Sequence, residues 1–150
     1  MAGFRLASFS LLLAPLLVLA APAAAAEFAS IGADKVNLRQ GPGTDNPRRF
    51  VVSRGYPLKI LARQDGWAKV TDYEGDKAWV ASRLLSDRRT VVVTKELVNV
   101  RSGPSSKRPV VFQAKHLVLL QYLDAEGNWV HVRHADGDEG WVYAPLVWGD

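Results

Sequence analysis

The sequence Val36-Asn37-Leu38-Arg39-Gln40-Gly41-Pro42 occurs again as Val98-Asn99-Val100-Arg101-Ser102-Gly103-Pro104. The same offset of 62 positions continues without a gap, and residues 36–85 match residues 98–147 at 16 of 50 positions. The other matching pairs include Pro47 and Pro109, Leu58 and Leu120, Trp67 and Trp129, Trp79 and Trp141, and Leu84 and Leu146. Ungapped identity at this level is typical of a duplicated structural unit, here of about 50 to 60 residues.

Each repeat has the pattern of a small all-β unit. Short β-prone runs occur at residues 36–39, 50–52, 58–62, 67–71 and 78–81. Asp65-Gly66 and Glu74-Gly75-Asp76 separate the last three runs and have the composition of hairpin turns. No window after residue 26 shows the 3.6-residue apolar spacing of a helix. Five short strands joined in this way predict a small, partly open barrel that buries one face of each strand.

The spaced pattern of these repeats resembles that of the bacterial SH3-like domain. The shared elements are Val-Asn-Leu-Arg-x-Gly-Pro (with Val for Leu in the second repeat), then Trp-x-x-Val, Gly-x-x-x-Trp-Val and a final Leu. The connection Arg88-Arg89-Thr90-Val91-Val92-Val93 is similar to that of short exported tandem SH3-like proteins. The resemblance implies two tandem SH3-like barrels, at residues 27–86 and 87–150. It also implies a targeting or interaction module of the cell envelope, because some such domains bind cell-wall peptides.

The first 26 residues have the features of a secretory signal peptide. Arg5 is their single charge, residues 11–19 are apolar, and the segment ends in Ala24-Ala25-Ala26. The apolar run is shorter than the roughly 20 residues that a membrane helix needs. We therefore expect cleavage after Ala26, a periplasmic or secreted protein, and no stable membrane insertion. An uncleaved amphipathic or signal-anchor helix is the alternative.

The connection between the repeats predicts a strand. Residues 86–97 contain neither Pro nor Gly, and they include the run Thr90-Val91-Val92-Val93-Thr94. Flexible linkers have a different composition. We expect the two repeats to lie close together and to share this strand, the alternative being two independent domains.

The composition excludes several classes of function. The chain has no cysteine, so disulfides, cysteine catalysis and thiolate metal sites are excluded. Its formal net charge is +4, with the basic residues scattered, which argues against nucleic acid as a partner of an exported protein. Residues 36–85 have nine basic and five acidic side chains, whereas residues 98–147 have five of each. This asymmetry favours the first repeat for an anionic ligand.

The repeated arginines are the first candidate ligand-binding residues. Val36 and Leu38 share one face of a strand, so Asn37 and Arg39 lie on the opposite face. In the second repeat Arg101 has the same place. Two interpretations remain open: Arg39 and Arg101 fasten the following bend by donating hydrogen bonds to loop carbonyls, or they bind a ligand carboxylate.

Trp67 and Trp129 are the second pair of candidates. Ala68 and Val70 mark the core face of their strand, and the second repeat shows the same alternation, so both tryptophans lie on the polar side. The resemblance agrees, since the tryptophan that begins this strand in SH3 domains lies in the ligand groove. A half-exposed tryptophan offers a flat surface to a peptide or a sugar ring. The alternative is that each tryptophan covers a loop or the neighbouring repeat.

Four further aromatic residues are weaker candidates for ligand binding. Trp79 and Trp141 precede valines that belong in the core, so each tryptophan faces outward beside Ala81 or Tyr143. Packing against the first strand or between the repeats competes with binding there. Tyr73 has no aromatic counterpart in the second repeat, so any groove differs between the repeats. The candidates are therefore completed by Trp79, Trp141, Tyr143 and Tyr73.

The sequence offers no catalytic constellation and no cofactor site. The histidines are His116, His131 and His134, all in the second repeat, and none accompanies a serine in a nucleophile turn. His131 and His134 are three residues apart on or beside a strand, which does not make a metal pair. Asp136, Asp138 and Glu139 crowd one turn, where a solvated hairpin tip explains them better than a calcium site. We therefore expect a non-enzymatic protein without metal or cofactor.

Two functional hypotheses follow. The first is a non-catalytic envelope module that binds cell-wall (peptidoglycan) peptide or glycopeptide. The second is an interaction or assembly subunit that docks on an envelope protein complex.

Overall fold

The computed structural model describes residues 3, 20, 21 and 24–150. The predicted signal peptide, residues 1–26, lies almost entirely outside these described residues, so it stays a prediction. Within the described part of the chain, no helix has both the length and the apolar character needed to cross a membrane.

The first repeat forms a sheet of seven antiparallel strands. They are β1 (Glu27–Ile31), β2 (Val36–Arg39), β3 (Arg48–Val52), β4 (Pro57–Gln64), β5 (Trp67–Thr71), β6 (Lys77–Ala81) and β7 (Leu85–Ser86). Their order across the sheet is β3-β2-β6-β5-β4-β1-β7. A 3₁₀ turn, Ser82–Leu84, connects β6 to β7.

The second repeat forms a sheet of the same topology. Its strands are β8 (Thr90–Val93), β9 (Leu97–Arg101), β10 (Val110–Lys115), β11 (Leu119–Glu126), β12 (Trp129–Arg133), β13 (Glu139–Tyr143) and β14 (Val147–Trp148). Their order is β10-β9-β13-β12-β11-β8-β14, which is the first order repeated. The predicted all-β class with two small barrels is confirmed.

Each sheet curls around its own apolar core, as the alternation of its strands predicts. In β5, Ala68 and Val70 are buried while Trp67 and Lys69 are partly exposed. Leu58 is fully buried in the first core, and its counterpart Leu120 is fully buried in the second. Two separate cores place the outer faces of β5 and β12 toward solvent, and these faces carry the candidate residues.

The predicted hairpin at Asp65-Gly66 connects β4 to β5. Both residues have positive φ, 49° for Asp65 and 81° for Gly66. Positive φ at both central residues matches the twist of the flanking strands and favours this pair of residue types. The predicted turn around Gly75 connects β5 to β6, with the Gly75 amide bonded to the Asp72 carbonyl at 3.1 Å.

The sequence prediction missed β1 and β7 of the first sheet and β14 of the second. β1 lies before the first predicted run, and β7 and β14 have only two residues each. The predicted strand in the connection is β8, and it pairs with β11 and β14 of the second sheet. It is therefore not shared between the sheets. β8 is instead the counterpart of β1, because the offset of 62 places residues 27–31 on residues 89–93.

The two sheets are in contact along β1 and the connection. Ser30 Oγ in β1 donates a 2.7 Å hydrogen bond to the Arg88 carbonyl. The Phe28 ring meets the Trp148 ring edge-on, with 5.2 Å between centroids. The Thr90 hydroxyl of β8 donates to the Gly55 carbonyl of the first repeat. A cleft therefore opens between the two sheets.

Candidate functional site

Arg39 and Arg101 each fasten the bend that follows their strand. Arg39 Nη1 donates a 2.9 Å hydrogen bond to the Asn46 carbonyl, and Arg101 Nη1 donates one of 2.9 Å to the Arg108 carbonyl. Both bonds join residues seven apart, so the two loops have the same closure. This is the first of the two interpretations that the sequence left open. A guanidinium has five N–H donors, so this single bond leaves others available to a ligand.

A groove runs along the outer face of the first sheet, between the bend and the start of β5. Its volume is about 540 Å³. Trp67, Arg39 and Asn37 all line it, so three residues that the sequence singled out lie together. Lys35 and Arg83 add two more positive charges, and Asp34 adds the negative charge of the lining.

A second groove occupies the equivalent place on the second sheet. Its volume is about 600 Å³, and Trp129, Arg101, Asn99 and Tyr143 line it. The correspondence holds position by position at the offset of 62, since Asn99, Arg101 and Trp129 are the counterparts of Asn37, Arg39 and Trp67. We call these surfaces groove 1 and groove 2.

The two grooves differ in charge and in apolar character. Leu97, which is 51% exposed, lies in groove 2 where groove 1 has Lys35. Tyr143, opposite Trp129 in the strand pairing, has a ring 5.5 Å from that of Trp129. Ala81 is opposite Trp67 in groove 1. Groove 2 therefore presents an aromatic pair, whereas groove 1 presents one indole among basic side chains.

Trp79 and Trp141 lie outside both grooves. Trp79 pairs with Arg39 across the sheet, and Trp141 pairs with Arg101. The Trp141 ring stacks on the imidazole of His131, with centroids 4.8 Å apart and planes 13° apart. Packing on the outer face of the sheet thus accounts for Trp141, and no described groove contains either tryptophan.

Tyr73 also lies outside the grooves, in the turn between β5 and β6. Burial raises the pKa of its hydroxyl, and the Glu74 and Asp72 carboxylates raise it further. In the same turn, the Tyr56 hydroxyl donates a 3.2 Å hydrogen bond to Asp72 Oδ2. Burial first, and then the charge of Asp72, raise the pKa of Tyr56 far above its ordinary value.

Carboxylates cluster in this turn of the first repeat. Asp72, Glu74 and Asp76 each place an oxygen within 4.8 Å of the others. Asp72 Oδ1 accepts hydrogen bonds from the backbone amides of Glu74 at 3.0 Å and Asp76 at 2.9 Å. The turn itself thus explains the position of Asp72. These three oxygens are the set that could hold a cation in the described chain.

The acidic turn that the sequence singled out in the second repeat has other partners. Asp136 Oδ1 lies 2.9 Å from His134 Nδ1 and accepts a 3.0 Å hydrogen bond from the Asp138 amide. The Asp138 amide hydrogen bond and the contact with His134 lower the pKa of Asp136. Glu139 is paired with Arg133. Local pairing therefore accounts for this turn, in agreement with a solvated hairpin tip.

Sequence reasoning missed several residues that line the grooves. Lys35 and Leu97 precede the repeated motif by one residue, and Thr44 and Ser106 lie inside its loop. The offset of 62 pairs all four, so the repeat contained the signal. Arg83 gave no signal, because it sits in a 3₁₀ turn that was not predicted.

Comparisons with known proteins identify both repeats. Two family models, each described as a bacterial SH3 domain, match residues 34–86 and residues 94–149. A curated relative from Bacillus subtilis (strain 168), named "Putative N-acetylmuramoyl-L-alanine amidase YrvJ", is 26% identical over 130 residues. That match covers 79% of this chain and 25% of the relative, so the chain spans about a quarter of the length of the relative.

Solved structures that align with this chain include proteins of the NlpC group. The structure of NlpC1 from Trichomonas vaginalis aligns over 93% of this chain and 51% of its own, with 15% identity and a TM-score of 0.39. An NlpC/P60 family protein from Bacillus cereus ATCC 10987 aligns over 81% of this chain and 56% of its own, with 15% identity and a TM-score of 0.38. The matched family regions coincide with the two sheets, and the chain belongs to the bacterial SH3 domain family, of which it carries two members in tandem.

Proposed function

We propose that this protein is a non-catalytic module of the cell envelope that binds cell-wall peptide or glycopeptide in grooves 1 and 2. The observation that carries the proposal is the repetition of one groove on both sheets. Trp67, Asn37 and Arg39 line groove 1, and their counterparts line groove 2. The relative whose name is that of an amidase acting on N-acetylmuramoyl-L-alanine supports a wall ligand.

The chemistry of each groove suits a short peptide or glycopeptide. An indole face stacks on a sugar ring or an extended peptide, and little conformational entropy is lost because the side chain is rigid. The Asn side chain can donate to and accept from a peptide bond. The arginine donors not used by the loop carbonyl can bind a peptide carboxylate. The grooves are therefore suited to the recognition of such a ligand.

The experiment is co-sedimentation of residues 27–150 with purified insoluble sacculi, at low and at moderate salt. Binding that persists at moderate salt is the expected result, because stacking in the grooves does not depend on long-range charge. Retention at low salt alone would mean that long-range charge attraction, which moderate salt screens, accounts for the association. Release of soluble muropeptides during incubation would contradict the non-catalytic part of the proposal.

A matched pair of double variants tests the grooves themselves. Trp67→Ala/Trp129→Ala removes the indole from both grooves, whereas Trp79→Ala/Trp141→Ala removes two indoles that lie outside them. We expect the first variant to lose retention on sacculi and the second to keep it. Equal retention by both folded variants would show that the grooves do not bind the wall.

A second candidate function is docking on an envelope protein. β10 is an edge strand of the second sheet, and Val110 and Val111 on it are 44% and 47% exposed. Edge strands with exposed apolar side chains can pair with a strand of another protein. This function predicts a stoichiometric crosslinked protein partner, no retention on sacculi, and loss of the crosslink in Val111→Lys.

A further inference from the structure

One cavity of the described chain is the cleft between the two sheets. Its volume is about 940 Å³, and both repeats and the connection line it. The first sheet contributes Ile31, the connection contributes Asp87 and Arg88, and the second sheet contributes Leu119 and Gln121. The cleft is therefore a product of the packing of the two domains, and it contains neither Trp67 nor Trp129.

Basic side chains outnumber acidic ones in the lining of this cleft. Its arginines are Arg54, Arg83, Arg88 and Arg133, and its acidic residue is Asp87. Two of these arginines have carboxylate partners: Arg54 lies 3.4 Å from Asp34, and Arg133 is paired with Glu139. Among the described residues, Arg83 and Arg88 form no ion pair. They are therefore the charges of the cleft that protein carboxylates leave uncompensated.

Arg88 is held in place without using most of its donors. Its Nη2 donates a 2.9 Å hydrogen bond to Gln121 Oε1, which is a neutral acceptor. Its backbone is fixed at both ends, since its amide donates to Ser86 Oγ at 3.1 Å and its carbonyl accepts from Ser30 Oγ at 2.7 Å. A guanidinium held by a neutral partner keeps its charge and four of its five donors for an anion.

Arg83 connects the cleft to groove 1. It lines both, as do Ala33 and Leu84, so the two surfaces meet at the 3₁₀ turn that contains Arg83 and Leu84. The counterpart of Arg83 in the second repeat is Pro145, and groove 2 has no equivalent cation. The charge of Arg83 therefore has no counterpart in the second repeat.

We propose that the cleft is a binding site for an anionic chain bearing carboxylate or phosphate groups, which Arg83 and Arg88 hold between the two domains. This inference goes beyond the proposed function, because the cleft lies between the two domains and contains neither groove tryptophan, although it shares Arg83 with groove 1. Arginine suits either anion, since its planar fork matches both carboxylate and phosphate oxygens. The site requires the two domains to be packed together, because each contributes one wall.

The test is calorimetric titration of the full chain with two soluble probes, octaglutamate and inorganic tripolyphosphate, at low and moderate salt. We expect one of them to bind at moderate salt, and the one that binds identifies the anion as a carboxylate or a phosphate. Arg83→Gln/Arg88→Gln should weaken that binding about tenfold, as two lost ion pairs of ordinary strength predict. Absence of binding by both probes to the wild-type protein would overturn the proposal.

A charge-matched control separates the cleft from the general basic charge of the protein. Arg48→Gln/Lys115→Gln removes the same net charge from exposed residues that line no described cavity, and it should leave the affinity unchanged. Equal weakening by the two double variants would overturn the proposal. If Arg88→Gln disturbs the fold, Arg83→Gln alone is the test variant. Its affinity for the probe should be about threefold weaker than that of the wild type, and an unchanged affinity would contradict the site. Parallel sedimentation with sacculi distinguishes this proposal from wall binding by the grooves, since either result can occur without the other.

Discussion

The guanidinium carbon of Arg89 lies 4.1 Å from the centre of the Tyr122 ring. The same carbon lies 5.6 Å from the centre of the Phe28 ring. Phe28 belongs to β1 and Tyr122 to β11, so one side chain of the connection contacts both sheets. Arg89 Nη2 also donates a 2.9 Å hydrogen bond to the Gly149 carbonyl. The packing of the two domains, and with it the cleft, therefore depends on Arg89.

Replacement of Arg89 by alanine should weaken the contact between the domains. The variant loses two cation–π contacts and one hydrogen bond, which together stabilise the folded chain by about 1–2 kcal/mol. The net stabilisation by Arg89 is smaller than the sum of these contacts, because its Nε is buried with no hydrogen-bond partner among the described residues. We expect a lower free energy of unfolding in urea and a larger radius of gyration by small-angle scattering.

Arg63→Ala is the control for Arg89→Ala. Arg63 is bonded to Glu27 at 2.6 Å, within the first sheet, and both side chains are more than half exposed. An exposed pair of this kind contributes less than about 1 kcal/mol. A radius of gyration that is the same in both variants and the wild type would contradict the role of Arg89 at the domain contact.

Arg39→Ala and Arg101→Ala should each destabilise one domain by about 1 kcal/mol, because each removes a charged donor from a loop carbonyl. The two losses should be similar, since both bonds are 2.9 Å long and close equivalent loops. Urea denaturation measures the loss, with Arg48→Ala as the control, because Arg48 is exposed. Unchanged stability together with lost retention on sacculi would favour the other interpretation, in which these arginines serve a ligand alone.

The stability of the protein should fall as the pH rises above about 10, the ordinary pKa of tyrosine. The pKa of Tyr56 is higher in the folded chain than in the unfolded one. The folded state therefore keeps a proton that the unfolded state loses, so the stabilisation is complete below pH 10 and is lost above it. Tyr56→Phe should reduce this alkaline loss in urea titrations across the pH range.

Tyr143→Phe is the control for the alkaline prediction. Tyr143 is 40% exposed and lies on the second sheet, so this variant keeps the interaction between Tyr56 and Asp72. Its loss of stability above pH 10 should equal that of the wild type. An unchanged alkaline loss in Tyr56→Phe would mean that other groups cause it.

The strand alternation was enough to predict the side of the sheet on which the candidate residues lie. Ala68 and Val70 are buried as predicted, which turns Trp67 outward. Alternation does not say where along a strand a groove lies. Trp79 faces outward like Trp67, and yet it lies outside groove 1, because the bend after β2 closes beside Trp67. The position of the loop relative to the strands decides this, and it is a tertiary property.

The cleft between the domains could not be predicted from one repeat. β1 escaped notice because it directly follows the alanine-rich segment. Without β1, the hydrogen bond from Ser30 to Arg88 that joins the sheets had no basis in the sequence pattern. The repeat offset identifies equivalent positions of the two domains, such as those that line the grooves. The cleft is lined by positions of the two domains that are not equivalent, so the offset does not bring them together.

Gly140 marks one place where the two domains differ in packing. Its counterpart in the first repeat is Ala78, which is buried in that core. A Cβ added to Gly140 would lie 2.7 Å from the Arg101 carbonyl oxygen and 2.8 Å from Val100 Cγ1. β13 therefore lies too close to β9 to accommodate an alanine at position 140. In the first sheet, the equivalent strands β6 and β2 leave room for Ala78.

Gly140→Ala should accordingly destabilise the second domain by about 1–3 kcal/mol, which is the cost of overpacking a well-packed site. Because the clash is with the backbone of Arg101, the strand shift should also alter groove 2 and leave groove 1 intact. The expected result is lower stability in urea, and in a Trp67→Ala background, weaker retention on sacculi. The reciprocal change, Ala78→Gly, costs about 0.5–1 kcal/mol through backbone entropy and should leave groove 2 unaffected. Wild-type stability in Gly140→Ala would show that the two strands separate at no cost, and the difference between the domains would then lie in the side chains of the grooves alone.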